Sequence, residues 1–494
     1  MKLNMLSCLT LSFLLAACVN APEQEQAQKI SAKEIAGKQA SNAVIERVEQ
    51  STPNVIVILT DDQGYSDVSF NGSEDILTPH IDRIAHEGAR FDQGYVSFPV
   101  CGPSRAGLLT GRYQSRFGYD LNASENPDDP NAGLPLSEKM IAEVLKPAGY
   151  TSKIIGKWHM GNHPSFHPLE RGFDEFFGFL NGGHNYYADQ YRDLDMSSVK
   201  TSAQLYQTLL LRDHEKVKTS GYLTDLLSED AVDFIQRKKD TPFFLYLAYN
   251  APHYPIQAPE RYKDSFPHIK DKKRQVYAGM VKAVDDGVGR VLDTLDELDL
   301  ADNTIVFFLS DNGGPLVRAK NGSVNLPLRG GKGDLFEGGV RVPYAIRWPG
   351  IIPAGIDYPH PVSSLDILST IVGVNEMDVS ENKPLDGVNL IPYLQDEAFS
   401  QMPHDKLFWR YVYDHGNDNW KTAILDGKDK RVTVKEEEML FDLASDKGEQ
   451  SNLLEKNPRE AKALEEEFKA WNDEMGELSI SLWNEWPKKE SGEK

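Results

Sequence analysis

Four segments far apart in the chain end in side chains suited to holding an ion and moving protons: Asp61-Asp62, Lys157-Trp158-His159, His253 and Asp311-Asn312. Each follows a short run rich in β-branched and aromatic residues, at 55–60, 152–155, 242–249 and 304–309. Asp61, Asp62, Asp311 and Asn312 make an all-oxygen set. Hard oxygen ligands suit Ca²⁺ or Mg²⁺, whereas Zn²⁺ recruits His or Cys. Taken singly, Asp61 and Asp62 also read as caps of a following helix, and Asp311-Asn312-Gly313-Gly314 as a plain turn. The recurrence of acidic residues at a second strand end favours the metal. Cysteines occur at 8, 18 and 101. The first two fall in the amino-terminal segment, so Cys101 is the lone thiol of the folded chain, either buried and inert or chemically used.

The elements that must position these residues follow from periodicity. The four runs read as buried strands, separated by amphipathic stretches at 79–87, 137–146, 223–238 and 275–298. In the last, Val276, Met280, Ala283, Val284, Val288, Val291, Leu292 and Leu295 recur at helical spacing. Such alternation predicts an α/β fold with a large, mostly parallel central sheet and helices on both faces. Ligands bind outside the carboxyl ends of parallel strands, so the four polar segments are expected on one rim. Beyond about residue 400 the texture changes to short antiparallel strands at 406–413, 421–425, 431–434 and 439–442, then a polar helix at 457–475. The expected organisation is 1–17 signal peptide, 18–52 tether, 53–400 catalytic domain and 401–494 a small C-terminal α+β subdomain.

The chain has 494 residues, 40% hydrophobic, with 75 Asp+Glu against 53 Lys+Arg and a formal charge of -22. This supports a sizeable core and excludes collagenous and disordered classes. The acidic balance speaks against nucleic acid, which selects a basic face, and against adhesion to anionic lipid. On its face it also speaks against a polyanionic substrate. At the amino terminus, Lys2 precedes an apolar run at 9–17 that is too short to span a bilayer, as in an export signal. Leu15-Ala16-Ala17-Cys18 resembles a bacterial lipobox. That resemblance implies cleavage before Cys18, lipidation of Cys18, and a lipoprotein of the periplasm or outer membrane of a Gram-negative bacterium. Residues 19–52, rich in Gln, Glu, Ala and Lys, read as a tether.

Cys101-Gly102-Pro103-Ser104-Arg105, followed by Leu109-Thr110-Gly111, resembles the signature of type I sulfatases, the formylglycine-dependent members of the alkaline-phosphatase-like superfamily. A second signature is Gly149-Tyr150-Thr151-Ser152-Lys153-Ile154-Ile155-Gly156-Lys157-Trp158-His159. Arg171-Gly172-Phe173-Asp174, Ala251-Pro252-His253, Gly331-Lys332-Gly333 and Glu337-Gly338-Gly339-Val340-Arg341 follow the same family, and the likeness runs from about 53 to 471. It implies that a formylglycine-generating maturation enzyme converts Cys101 to Cα-formylglycine. The hydrated aldehyde offers one hydroxyl to attack sulfur and another to expel sulfate. It further implies that Asp61, Asp62, Asp311 and Asn312, with the modified Cys101, hold one Ca²⁺. Arg105 and Lys157 would steady the formylglycine, and Lys157, Lys332 and His253 would clamp the sulfate. His253 or Lys332 would protonate the leaving alcohol, and His159 would take the proton that drives sulfate out. Asp334-Leu335-Phe336 departs from the family's usual Thr and Tyr, and 316–328 reads as a variable insertion.

Weaker signals remain. Gly182-Gly183-His184-Asn185-Tyr186-Tyr187 reads as a sugar contact through His184 or as a structural loop. His163 and His167 follow His159 closely; His404 and His415 read as surface residues of the appendage. The expected function is a sulfuric ester hydrolase acting on a sulfated carbohydrate, of the carrageenan or glycosaminoglycan kind. The alternatives are a phosphonate monoester hydrolase or phosphodiesterase of the same superfamily, and a non-catalytic sugar-binding lipoprotein.

Overall fold

The structure, a computed structural model, describes residues 52–195, 199, 201–316, 321–379, 383–395, 399–411 and 420–477. The export segment, Cys18, the tether up to residue 51 and His415 lie outside the described residues. The described residues form one compact unit.

At its centre lies β1 (Asn54–Thr60), an apolar run from Val55 to Leu59 with one polar residue at each end, buried at every residue, as a parallel strand covered on both faces must be. Fifteen further strands follow: β2 (Ala89–Phe91), β3 (Gly94–Tyr95), β4 (Thr151–Lys157), β5 (Glu175–Phe179), β6 (Leu210–Arg212), β7 (Glu215–Val217), β8 (Phe243–Ala248), β9 (Thr304–Ser310), β10 (Tyr344–Arg347), β11 (Ile356–Tyr358), β12 (Val362–Ser363), β13 (Lys406–Tyr411), β14 (Lys421–Asp426), β15 (Asp429–Val434) and β16 (Glu437–Asp442). The main sheet has ten strands in the order β11-β2-β10-β9-β1-β8-β4-β5-β6-β7. Its middle, β9-β1-β8-β4-β5, is parallel throughout. β10 runs antiparallel to β9 and β2, and β6 and β7 form an antiparallel margin beyond β5. The expected parallel sheet is therefore the core of a mixed one.

Six helices of eight or more residues pack around it among the described residues: α1 (Pro79–His86), α2 (Cys101–Thr110), α3 (Leu223–Lys238), α4 (Lys272–Glu297), α5 (Asp366–Val374) and α6 (Pro458–Asn472). The pleat divides their faces. Ile56, Ile58, Leu245, Leu247, Val306 and Phe308 point into a core filled by Ile81 and Ile84 of α1, Leu227 and Phe234 of α3, and Met280, Val284 and Val288 of α4. Asp285 of α4 accepts the His80 and Ile81 N–H groups, each at 2.9 Å, and so caps α1. Val57 and its partner Tyr246 lie on the opposite pleat. There α2 is buried at all ten positions, and the Arg105 charge bears on the Tyr246 phenol. No helix among the described residues is long and apolar enough to cross a membrane.

β13–β16 form the expected antiparallel sheet, in sequence order. Trp409, Val432, Met439 and Phe441 of this sheet share one cluster with Tyr95, Phe98 and Phe336. The appendage is thereby locked against the segment that precedes α2. Two expectations are corrected. The stretch 137–146 forms a helix only at Ile141–Leu145, because Glu143 accepts the Met140 N–H at its start and Pro147 opens a tight turn at its end. His404 is not a surface residue: its side chain is 8% exposed and meets Asp366, the first residue of α5, at 2.7 Å.

That pair makes stability depend on pH. Burial lowers the His404 pKa, but the Asp366 charge and hydrogen bond outweigh it, so the folded value lies above the usual 6.5. The extra stability is complete below the unfolded value and is lost as pH rises through the folded one. Thermal unfolding of His404→Asn against the parent should show a deficit at pH 6 that shrinks toward pH 9. A deficit constant across that range would remove the pair from the account.

Candidate active site

The four polar segments emerge from adjacent strands. Thr60 stands opposite Ser310 and Leu59 opposite Ala248, while Gly156 pairs with Ala248. Asp61, Asp311, His253 and Lys157–His159 therefore leave β1, β9, β8 and β4 at one rim. The Asp311 N–H donates to Thr60 O at 2.9 Å and the Asp61 N–H to Ala251 O at 3.2 Å, which keeps the strand ends in step. Asp62 and His159 both adopt positive φ, 64° and 62°. For non-glycine residues that costs about 1–2 kcal/mol each. Surrounding structure has to hold such conformations, and they concentrate at functional sites.

Three buried carboxylates meet three cations here. Lys157 Nζ donates to Asp61 Oδ2 at 2.5 Å, and Lys332 Nζ to Asp62 Oδ1 at 2.6 Å. Arg105 Nε and Nη2 both reach Asp311 Oδ2, at 3.0 and 2.8 Å. Cys101 is the first residue of α2; its Sγ lies 3.4 Å from Asp61 Oδ1 and 3.0 Å from Lys332 Nζ. His253 Nε2 stands 3.7 Å from Asp62 Oδ2. Lys332 arrives on a loop tied down by its own N–H to Gly314 O at 3.1 Å and the Gly333 N–H to Pro99 O at 2.9 Å. A Cβ on Gly331 would come within 2.4 Å of Gly314 O, so only glycine lets this loop lie so close.

Burial would raise the Asp62 pKa, but the Lys332 and His253 charges and bonds from Lys332 and Asn312 bring it to about 2. Burial and the Asp61 charge push the Cys101 thiol up to about 12 against Lys157 and Lys332. Burial with the neighbouring Lys157 and Lys332 charges holds His253 at about 3, despite Asp62. Burial, Lys157 and Arg105 place His159 well below its usual value. Both rings are thus neutral, and His159 can accept a proton.

The residues also fit a hard divalent ion. Ligand atoms of Asp61, Asp62, Cys101 and His253 lie within 4.8 Å of one another. Asp311 Oδ1 is turned to the Asp62 N–H at 3.3 Å, and Asn312 Nδ2 donates to Asp62 Oδ1 at 2.8 Å. Asn312 Oδ1 is buried without a hydrogen-bond partner. An orphaned buried acceptor costs about 1–3 kcal/mol, and a cation among three carboxylates would remove that cost. The donor set is oxygen-rich, as Ca²⁺ and Mg²⁺ require.

One expected contact is corrected. His184 is fully buried, and its ring nitrogens face the Asn185 and Thr208 carbonyls, both at 2.9 Å, so it has no face left for a sugar. His163 and His167 accept the Ser165 and Leu169 N–H groups and so cap short turns. Trp158 is wholly buried and donates to Phe166 O at 2.9 Å. Three further neighbours of the site carry no signal in the sequence. Asn122 Oδ1 accepts the Gly102 N–H at 3.0 Å, Glu125 accepts the Gly182 N–H beside His159, and the Tyr206 ring stands 6.4 Å from that of His253. All three lie outside any motif, on segments that only tertiary packing brings to the rim.

A parallel sheet presenting buried carboxylates, cations and neutral imidazoles around one side chain at a helix start defines a hydrolase of anionic esters. Known proteins narrow the class. A family model described as Sulfatase matches residues 53–376. Human N-acetylgalactosamine-6-sulfatase is 39% identical over 367 residues, covering 71% of this chain and 67% of its own. The crystal structure of Ps i-CgsB is 40% identical with a TM-score of 0.81, covering 87% of this chain and 95% of its own; it has also been solved in complex with k-i-k-neocarrahexaose, with a TM-score of 0.80. A phosphonate monoester hydrolase of Agrobacterium radiobacter is 20% identical with a TM-score of 0.64, covering 85% of this chain and 96% of its own, and shares the fold alone. The chain belongs to the sulfatase family. It is a sulfuric ester hydrolase of alkaline-phosphatase-like fold.

Lys332 reaches both Asp62 and Cys101, so its charge sits where an ester oxygen would arrive. Lys332→Met should lower kcat/KM on a sulfate ester by about 10²–10³, the usual cost of one lost oxyanion donor. Steady-state kinetics on p-nitrophenyl sulfate check this, and a loss below about fivefold would place the sulfate elsewhere.

Proposed function

We propose that the protein removes sulfate from a sulfated carbohydrate, a galactan of the carrageenan kind or a glycosaminoglycan, and that it does so from a formylglycine at position 101. The observation that carries this reading is the pairing of Cys101 Sγ with Lys332 at 3.0 Å and Asp61 at 3.4 Å inside the signature helix. The carbohydrate follows from the relatives, one bearing the name of an N-acetylgalactosamine-6-sulfatase and one captured with a neocarrahexaose.

Maturation would be a net oxidation by an external oxidant, bringing in oxygen and releasing the sulfur as sulfide. The hydrated aldehyde then supplies one hydroxyl to attack sulfur and a second to release sulfate. Asp61, Asp62, Asp311 and Asn312 would hold Ca²⁺, which when bound acidifies a neighbouring hydroxyl and draws charge from a sulfate oxygen. The remaining work belongs to the chain's own groups. Lys157 and Lys332 bring positive charge to the side of residue 101 on which an ester lies. Arg105, held by Asp311 and by Lys157 O at 3.1 Å, is fixed as a standing charge beneath it. Lys332, a cation, is placed to give a proton to the departing alcohol; His253 would do so only once protonated, with Asp62 at 3.7 Å to hold its charge. His159, neutral, is placed to take the proton released as sulfate leaves.

Residues 1–17 would direct export, and Cys18 would carry a lipid anchor. Cys18→Ala should move the protein from the membrane fraction to the soluble fraction.

Three measurements test the chemistry. Intact mass should fall about 18 Da below that of the identically processed chain with Cys101 unmodified, because an aldehyde replaces the thiol side chain. Cys101→Ala should leave the fold and abolish turnover of p-nitrophenyl sulfate; full turnover with an unmodified thiol would refute the mechanism. Calcium at about a hundred times its Kd should stabilise the chelator-treated protein by about 2.7 kcal/mol. That stabilisation should vanish in Asp62→Ala, read by thermal unfolding without any substrate.

A further inference from the structure

The rim that gathers Lys157, Lys332 and Arg105 carries one carboxylate outside their ion pairs. Glu125 Oε1 accepts the Gly182 N–H at 2.5 Å, and among the described residues no cation lies within ion-pair distance of this side chain. Its main-chain carbonyl is held by Asn162 Nδ2 at 2.9 Å, and the same Asn162 bonds Asn181, so the segment is fixed from both sides. A Cβ built on Gly182 would lie 2.7 Å from His159 Nε2 and 3.1 Å from Glu125 Oε1. The carboxylate and the imidazole are therefore separated by little more than the bare glycine between them. Glu125 is partly buried; burial raises its carboxyl above the usual range, and the Gly182 N–H and the Lys157 charge act against that rise.

Tyr206 completes the wall. A Cβ on the neighbouring Gly183 would stand 2.9 Å from the Tyr206 hydroxyl, and the charges of Glu125, Lys332 and Asp61 all bear on that phenol. Its ring meets that of His253 edge-on. Glu125 thus borders His159, and Tyr206 borders His253, the ring placed to serve the leaving alcohol, so the two line one wall of the reaction centre.

An acidic wall in a site built for an anionic ester cannot face the ester sulfate. Its natural partner is a neutral donor, and a carboxylate–hydroxyl bond is among the strong ones. From this we propose that Glu125, with Tyr206 beside it, is a subsite that reads a free hydroxyl on the sugar ring carrying the scissile sulfate and rejects a second sulfate at that hydroxyl. This rests on the carbohydrate reading above. Discrimination arises twice: the hydroxyl gains a charge-assisted bond, and a sulfate in its place would set like charges together.

The test uses the matured enzyme on galactose and N-acetylgalactosamine monosulfates and on the same rings carrying an added neighbouring sulfate, with p-nitrophenyl sulfate as reference. The parent should favour the monosulfates. Glu125→Gln should reduce the kcat/KM ratio of monosulfate to disulfate by at least about tenfold, or about 1.4 kcal/mol. Glu125→Lys should reduce it further or invert it. A general loss of fold lowers both substrates together and leaves the ratio where it was. A ratio unchanged within twofold in both variants, with turnover of p-nitrophenyl sulfate retained to show that they are folded, would overturn the subsite while leaving the sulfatase reading intact. Turnover of p-nitrophenyl sulfate with no cleavage of any sulfated sugar would overturn both.

Discussion

Three carboxylates are buried where four strands end, and buried charge must be matched. Removing one partner of such a pair costs about 3–5 kcal/mol. Much of the architecture answers that requirement. The order β9-β1-β8-β4 places Asp311, Asp61, His253 and Lys157 side by side. α2 lies on the sheet so that Arg105 reaches Asp311, and in doing so it brings Cys101 to the centre. The glycine loop that carries Lys332 is pinned to Gly314 and Pro99 so that its ammonium reaches Asp62. Cations that balance the carboxylates are the same groups that would receive a sulfate.

That balance also resolves the charge of the whole molecule. A formal charge of -22 looks hostile to an anionic substrate. Within the site, however, Asp61, Asp62 and Asp311 are offset one for one by Lys157, Lys332 and Arg105. A divalent ion would leave the rim positive. The global charge governs solubility and long-range encounter, whereas local contacts decide what is held. Glu125 extends the same logic to a finer scale, as a negative wall in a positive site that limits how many sulfates a ring can carry into it.

Much of this was legible in the sequence for a physical reason. Runs such as Val55-Ile56-Val57-Ile58-Leu59 can only be doubly covered strands, and polar residues directly after them must emerge on one rim. α3 is found where its amphipathic stretch lay, and α4 differs only at its ends. What was not legible depends on partners distant in sequence. His184 looked available in a run of glycines and tyrosines but is enclosed by carbonyls of Asn185 and Thr208. His404 looked exposed because Asp366 lies 38 residues earlier. Glu125, Asn122 and Tyr206 sit in irregular segments whose placement no periodicity encodes. The antiparallel margin at β6 and β7 consists of three-residue strands, too short to leave a pattern.

The strand-end oxygens are arranged to hold one divalent ion. Anomalous diffraction from calcium-loaded crystals measures it. The expected result is a single strong peak bounded by oxygens of Asp61, Asp62, Asp311 and Asn312, with the Asn312 amide oxygen no longer without a partner. A calcium-saturated protein with no peak at this rim, and with Lys157 and Lys332 still closed on Asp61 and Asp62, would contradict it.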